Sequence, residues 1–255
     1  MAQYTQRPMQ FLEKLVHSIS AQTLPTACIA CQQFQARYIC NACLNVLESN
    51  SLIHYECCYQ CGIPLQLKEL PGQHCLHCKQ HSPWFDETHC LDRYNGILQD
   101  ALHQLKYQKR IVFAHGLAKA WNQIQSTRLG QYSADYLLPV PLSREKLLAR
   151  GFNQSWEIAR RICSNKDIQK LSHALKRHHH ISHQAGNALH ARHDAIHEMF
   201  YIDTQYVDRL TDKTVIVFDD VMTSGATLNE IARILKDIGV LRVINWVLLR
   251  TTRLT

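Results

Sequence analysis

The stretch VIVFDDVMTSGAT, Val215 to Thr227, constrains the architecture of this chain more than any other. Val215, Ile216, Val217 and Phe218 make a short, apolar, β-rich run of the kind that suits a parallel strand buried on both faces. Beyond the turn, Leu228, Ile231, Leu235 and Ile238 fall at helical spacing, and Gly239 follows as a C-terminal cap. The run reads as strand, loop, helix. In an open α/β sheet such a junction lies at the carboxyl edge, where ligands bind.

The loop chemistry narrows the ligand. Thr223, Ser224, Gly225, Ala226 and Thr227 can aim backbone N–H groups and hydroxyls at one point, with the positive end of a helix dipole behind them, which makes a seat for phosphate. Asp219 and Asp220 would repel a phosphate, but carboxylates are good acceptors for sugar hydroxyls. Pair and seat together describe a ribose carrying a 5′-phosphate. An ordinary βα turn also uses acidic and capping residues, so it is the ordered combination that carries the reading. The stretch resembles the phosphoribosyl pyrophosphate (PRPP) motif of type I phosphoribosyltransferases. By that resemblance Asp219 and Asp220 bind the ribose hydroxyls, the loop from Thr223 to Thr227 binds the 5′-phosphate, and Mg²⁺ accompanies PRPP. The 6-oxopurine transferases place an Asp base where this chain has Thr223, so the loop is closer to the orotate or amidophosphoribosyl types.

The cysteines form a second pattern. Cys28-x-x-Cys31 pairs with Cys40-x-x-Cys43, and Cys58-x-x-Cys61 pairs with Cys75-x-x-Cys78. A C-x-x-C turn points two thiolates at one tetrahedral centre, and two such turns close a structural zinc site. Two zinc ions are expected, and they hold the fold rather than do chemistry, because a four-thiolate site has no open position. Cys57 is a competitor for the place of Cys58, and His54, His74, His77 and His81 lie near enough in sequence to substitute for a ligand. Cys90 and Cys163 read as buried thiols.

The chain is long enough, at 255 residues and 46% hydrophobic, for one medium domain and a small one. No apolar run approaches membrane-spanning length and the N-terminus lacks a signal-peptide layout, so a soluble cytoplasmic protein without membrane insertion is expected. Residues 1–24 carry Phe11, Leu12, Leu15, Val16 and Ile19, an amphipathic helix. A double zinc ribbon is expected over 25–85, with Pro83 breaking the chain after it, and an α/β domain with a parallel sheet over 86–255. Its further strands are expected through Leu91 and Tyr94, at Tyr136 to Pro141 and at Leu241 to Leu249, with helices after the first of these and from about Val112 to Ile124.

PVPLSREKLLARGFNQ occupies another sheet edge. Arg144, Lys146 and Arg150 follow the strand as a basic loop, and Gly151 leaves room for a ligand or a sharp turn. Three cations beside a phosphate seat suit a pyrophosphate, although a solvated basic loop would look the same in isolation. The order of motifs now resembles the ComF/GntX family over nearly the whole chain: cysteine pairs, then QLKY at Gln104 to Tyr107, VPL…RGFNQ, a later LKR, and DDV-x-T-x-GAT. The resemblance implies a double zinc ribbon joined to a type I phosphoribosyltransferase-like fold. It further implies a cytoplasmic factor of natural transformation that helps internalise incoming single-stranded DNA, together with proteins of the DNA-uptake machinery. A loop of this kind often carries a non-proline cis peptide in the transferases, which here would fall near Leu142-Ser143.

Charge offers a DNA surface. Lys plus Arg is 28 against 21 acids, a net charge of +7, and residues 100–165 hold ten cations against four acids. Lys106, Lys109, Arg110, Arg160 and Arg161, and the cluster Lys176, Arg177, His178, His179 and His180, are the candidate contacts to a DNA backbone. Tyr38, Tyr55, Tyr59 and Trp84 are candidate stacking platforms, each also a candidate core residue. The alternative is an active phosphoribosyltransferase that moves phosphoribosyl from PRPP to a base or amine, for which the sequence offers no acceptor signature. A zinc-stabilised regulator that senses PRPP is a third reading.

Overall fold

The structure is a computed structural model, and it describes residues 26–125, 133–163, 168–178 and 199–252. The expected N-terminal helix and His179 and His180 lie outside these residues. No helix among the described residues is long and apolar enough to cross a membrane.

Two short strands, β1 (Thr26–Ala27) and β2 (Phe34–Gln35), pair antiparallel and lead to helix α1 (Asn41–Asn50). After a further turn comes α2 (Leu76–Gln80). Then follow β3 (Glu87–Arg93), α3 (Gln99–Tyr107), α4 (Phe113–Ile124), β4 (Tyr136–Pro139), α5 (Arg144–Arg150) and α6 (Gln154–Ala159). Next are β5 (Gln169–Lys170), β6 (Leu175–Arg177), β7 (Phe200–Ile202), α7 (Val207–Leu210), β8 (Thr214–Met222), α8 (Ala226–Asp237) and β9 (Arg242–Arg250). Strands β3, β9, β8, β4 and β5 make a parallel sheet in that order, and β6 pairs with β7 as a separate hairpin. The expected parallel α/β fold is the fold found.

The apolar runs explain the order. β8 and β9 are the central strands, so both of their faces must be covered, and Val215 to Phe218 and Val243 to Leu249 are all buried. On one face α4 lays Trp121 against Phe218 and Trp246, with ring centroids 5.7 and 5.6 Å apart. On the other face α8 presents Leu228, Ile231, Ala232 and Leu235 to Val217, Val243 and Val247. The stripe at helical spacing that the sequence offered is the buried one.

Each cysteine segment joins one of these cores. Cys28, Ile29, Ile39 and Leu47 belong to the α4 side. Cys58, Cys61, Cys75 and Cys78 pack with Phe85, Cys90 and Met222 on the α8 side. The segment after Pro83 is tied down as well, since the Trp84 N–H donates to Asn229 Oδ1 on α8 at 2.7 Å. The cysteine-rich part therefore grips the outer strand β3 from both sides of the sheet, and the Thr88 N–H donates across to the Tyr59 carbonyl at 3.1 Å.

Candidate functional site

Strand β8 runs four residues further than its apolar core, so Asp219 and Asp220 are strand residues rather than loop residues. Thr223, Ser224 and Gly225 then make the turn into α8. Gly225 has φ 87°, a left-handed conformation that a side chain would strain, and no side chain caps the helix it starts. The N–H groups of the first turn beyond Ala226 are thus left to the mouth of the loop, where Thr223 and Ser224 are exposed. The Ala226 N–H reaches Ser224 Oγ at 3.3 Å. Below the loop, the buried Arg250 guanidinium donates to the carbonyls of Met222 at 3.0 Å and of Thr223, which fixes the start of the turn.

Asp220 is 4% exposed and is surrounded by donors. Gln154 Nε2 donates to its Oδ1 at 2.9 Å, Ser155 Oγ lies 3.4 Å from the same atom, and the Lys106 ammonium pairs with its Oδ2. Ser155 Oγ also lies 3.3 Å from Asp219 Oδ1, and the Asp220 N–H donates to that oxygen at 2.9 Å. Burial pushes both carboxyls up. For Asp219 the adjacent Asp220 charge adds to burial and raises it well above the carboxylate range. For Asp220 the Lys106 charge and the Gln154 amide outweigh burial and hold it below that range. Sequence reasoning missed Gln154 and Ser155, although both stand in or next to the RGFNQ motif. It assigned Lys106 to DNA, whereas the side chain points inward to the acid pair.

The basic segment is a helix, not a loop. Ser143 caps α5 by accepting from the Lys146 N–H at 3.3 Å, and Gly151 ends it in the left-handed region at φ 87°. Helix formers between two good caps explain the difference. There is no cis peptide bond among the described residues, so Leu142-Ser143 is trans. Arg144 and Lys146 are exposed on α5, while Arg150 donates to Gln154 Oε1 and lies 5.9 Å from the Tyr107 ring centroid. Arg150 is therefore one residue removed from Asp220, through Gln154.

Several candidate DNA contacts are engaged inside the protein. Arg160 and Arg161 both pair with Glu157, at 2.8 and 2.5 Å. Lys176 pairs with Asp203 at 2.5 Å. Arg177 lies over Phe200 at 5.6 Å, and His178 stacks on Tyr201 at 4.3 Å. Arg110 donates to Gln104 and sits over Phe113. Lys109 is exposed, in a left-handed turn with φ 55°. Of the candidate platforms, Tyr55, Tyr59 and Trp84 are exposed, while Tyr38 stacks on His115 at 5.3 Å.

The cysteines gather as their spacing requires. Cys28, Cys31, Cys40 and Cys43 form one group and Cys58, Cys61, Cys75 and Cys78 another, with the sulfurs of each group within 4.8 Å of one another. Both groups could hold a metal ion, and four thiol ligands suit zinc. Neither Cys57 nor a histidine belongs to either group among the described residues; Cys57 Sγ donates to the Leu52 carbonyl instead. Burial pushes the Cys28 thiol up, but N–H donors from Cys31, Cys40 and Ala30 bring it down to about 7. Cys58 is lowered by hydrogen bonds from Cys61 and Cys78. Each group thus holds one lowered thiol among neighbours that are pushed up, Cys31 and Cys43 in the first group and Cys61 and Cys78 in the second. Of the other cysteines, Cys90 is buried and Cys163 is exposed.

Comparison with known proteins agrees with this layout. A phosphoribosyl transferase domain model matches residues 174–253, which include β8, the loop and α8. The chain is 26% identical over 215 residues to Competence protein F of Haemophilus influenzae, covering 83% of this chain and 90% of the relative. It is 27% identical over 235 residues to DNA utilization protein YhgH of Escherichia coli K12, covering 90% of this chain and 99% of the relative. The solved structure of an allosteric regulatory enzyme of purine biosynthesis matches 52% of this chain and 25% of its own at 16% identity, with a TM-score of 0.34, too loose a likeness to bear on the site. The homologues carry names of the kind that the motif order implied.

Proposed function

We propose that this homologue of competence and DNA-utilization proteins is a cytoplasmic competence factor that handles incoming single-stranded DNA and carries a PRPP-binding site. One observation carries the ligand reading: an acid pair held at the end of a central strand leads directly into an uncapped helix start, at the carboxyl edge of a parallel sheet. The N–H groups from Thr223 to Thr227 take the 5′-phosphate, Asp219 and Asp220 serve the ribose, and Arg150, with Arg144 and Lys146 beyond it, attracts the pyrophosphate. Mg²⁺, when bound with PRPP, supplies the positive charge that lets a polyanionic ligand approach two carboxylates.

The DNA reading rests on the cations that no carboxylate pairs with among the described residues, chiefly Lys109, Arg110, Arg144 and Lys146. Zinc in both cysteine groups holds the 25–85 segment against the 86–255 domain. Calorimetry with PRPP and Mg²⁺ tests the ligand site. Wild type is expected to saturate, and Asp219→Ala with Asp220→Ala to weaken binding by about 1.5–3 kcal/mol for each charge-assisted hydrogen bond lost. No saturation at millimolar PRPP would reject the reading. The domain match over 174–253 also favours a second reading, transfer of phosphoribosyl to an acceptor. Pyrophosphate release from PRPP, measured with and without single-stranded DNA, separates the two.

A further inference from the structure

Where the second cysteine segment meets the outer strand β3, the two enclose a cleft of about 210 Å³. Tyr55, Glu56, Tyr59 and Gln73 line it from the cysteine segment, and Glu87 and His89 line it from β3. β9 separates β3 from β8, and none of the residues assigned to PRPP lines this cleft. It is a second place on the molecule.

Its inner wall is firmly built. Glu87 is 4% exposed, and one of its carboxylate oxygens pairs with His89. The other takes the Tyr59 hydroxyl at 3.0 Å and the Arg242 guanidinium. Burial pushes the Glu87 carboxyl up, but His89, Tyr59 and Arg242 outweigh it and hold the group below its usual range, ionised. Arg242 also donates to the Tyr59 hydroxyl at 2.9 Å, and the Tyr59 carbonyl accepts the Thr88 N–H at 3.1 Å. Ring tip and backbone of Tyr59 are thereby both fixed. At the mouth, Arg93 lies over the Tyr55 ring at 4.3 Å. The side chains of Glu56 and Gln73 are exposed there, and among the described residues no hydrogen bond or ion pair engages either.

Size and chemistry select the guest. At about 30 Å³ for each water the cleft has room for roughly seven, and it is smaller than the ~300 Å³ at which sites for drug-sized molecules begin. One planar ring system fits, while a sugar and its phosphate stay outside. Tyrosine faces suit a flat guest whose polar groups lie along its edge. The Glu56 carboxylate accepts from an amino group on that edge and repels a carbonyl, and Gln73 offers both an acceptor and a donor beside it. Cytosine and adenine are flat rings with such an amino group, and only an unpaired base has that edge free.

We infer that this cleft takes one unpaired, amino-bearing nucleobase, laid against tyrosine, with Glu56 reading its amino group. Glu87 is a positioning residue that holds Tyr59. The inference rests on the single-stranded DNA reading above and deepens it: cations elsewhere hold the strand by its backbone, and the cleft holds one of its bases. A free nucleoside offers the same base, so the test separates the two sources.

The full chain with its metal bound is titrated at neutral pH with single strands of equal length made of cytosine, thymine or abasic units. The cytosine strand is expected to bind about tenfold tighter than the thymine strand, with the abasic strand weakest. Tyr55→Leu should weaken the cytosine strand about tenfold at low and at moderate salt alike, because a stacked base releases no counterion, and should leave the abasic strand unchanged. Glu56→Gln should bring the ratio of cytosine to thymine affinity near one, and an unchanged ratio would overturn the role of Glu56. Both positions are exposed, so the unfolding temperature should hold in each variant. Equal binding of all three strands would overturn the inference and leave the strand reading standing, as would a folded Tyr55→Leu protein that binds like wild type. Deoxycytidine at millimolar concentration should compete with the strand, and thymidine less. Nucleoside binding with no strand binding in low salt would assign the cleft to free bases and reject the DNA reading. Binding of neither would sink both.

Discussion

Arg250 at the end of β9 donates its Nε–H to the Cys61 carbonyl at 3.0 Å. Through Nη1 the same buried guanidinium holds the carbonyls of Met222, Thr223 and Thr251. One side chain thereby joins a cysteine of the second metal-competent group to the first residue of the phosphate loop.

Metal removal should therefore reach the ligand site. Stripping the protein with a chelator is expected to weaken PRPP binding and to loosen the Thr223–Thr227 loop, read as faster amide hydrogen exchange there. Arg250→Met should mimic this with metal retained, and should destabilise the fold by on the order of 1–3 kcal/mol for each carbonyl left without a donor. Unchanged exchange in the loop after stripping would dissociate the two sites.

Metal analysis of protein purified without added zinc should give two ions per chain. All four cysteines of the second group are buried, whereas Cys31 of the first is exposed. A chelator should accordingly take one ion quickly and the other slowly. Cys58→Ser or Cys75→Ser should destabilise the fold more than Cys31→Ser, since metal binding at such sites is folding free energy. A single ion per chain would remove one group from consideration.

Asp92 is 5% exposed on β3, and burial lifts its carboxyl to about 6, against the donation of the Arg93 N–H. The folded state keeps this proton longer than the unfolded chain does. Stability from Asp92 is undiminished below the unfolded value of 3.8, falls as pH rises from about 4 to about 6, and stays reduced above that. The loss at neutral pH is on the order of 3 kcal/mol. Asp92→Asn should thus stabilise the protein at pH 7.5 and leave it unchanged at pH 3.5, in urea titrations at the two values. An equal effect at both would point to packing rather than charge.

Single-stranded DNA binding should weaken with salt, log K falling about 0.7 per phosphate neutralised. Lys109→Glu with Lys146→Glu should lower affinity and make the salt dependence shallower. Lys176→Ala should leave both untouched, because its ammonium is spent on Asp203. The reverse ranking would move the DNA to the β6–β7 hairpin.

How far these features could be read from sequence depended on distance along the chain. The cysteine groups were legible because a C-x-x-C turn sets its own geometry within four residues. β8, β9 and α8 were legible because buried central strands and an amphipathic helix leave their periods in the sequence. The inward turn of Lys106 was not, since nothing near Gln104 to Tyr107 announces a carboxylate over a hundred residues later. Arg250 was hidden for the same reason: its partners are backbone carbonyls, which every residue has. The α5 helix was within reach. Ser143 and Gly151 are good caps around REKLLAR, but the density of cations there drew attention to charge instead.

The grip on β3 has a consequence for handling the protein. β3 is the outermost strand at its end of the sheet, and the tie from Thr88 to Tyr59 belongs to the turn that Cys58 and Cys61 anchor. When those cysteines lose their ion, an outer strand rich in buried side chains is left with open donors and acceptors, a template for another copy of itself. Oxidation or chelation should then be seen first as self-association, growing with protein concentration, before any loss of helix.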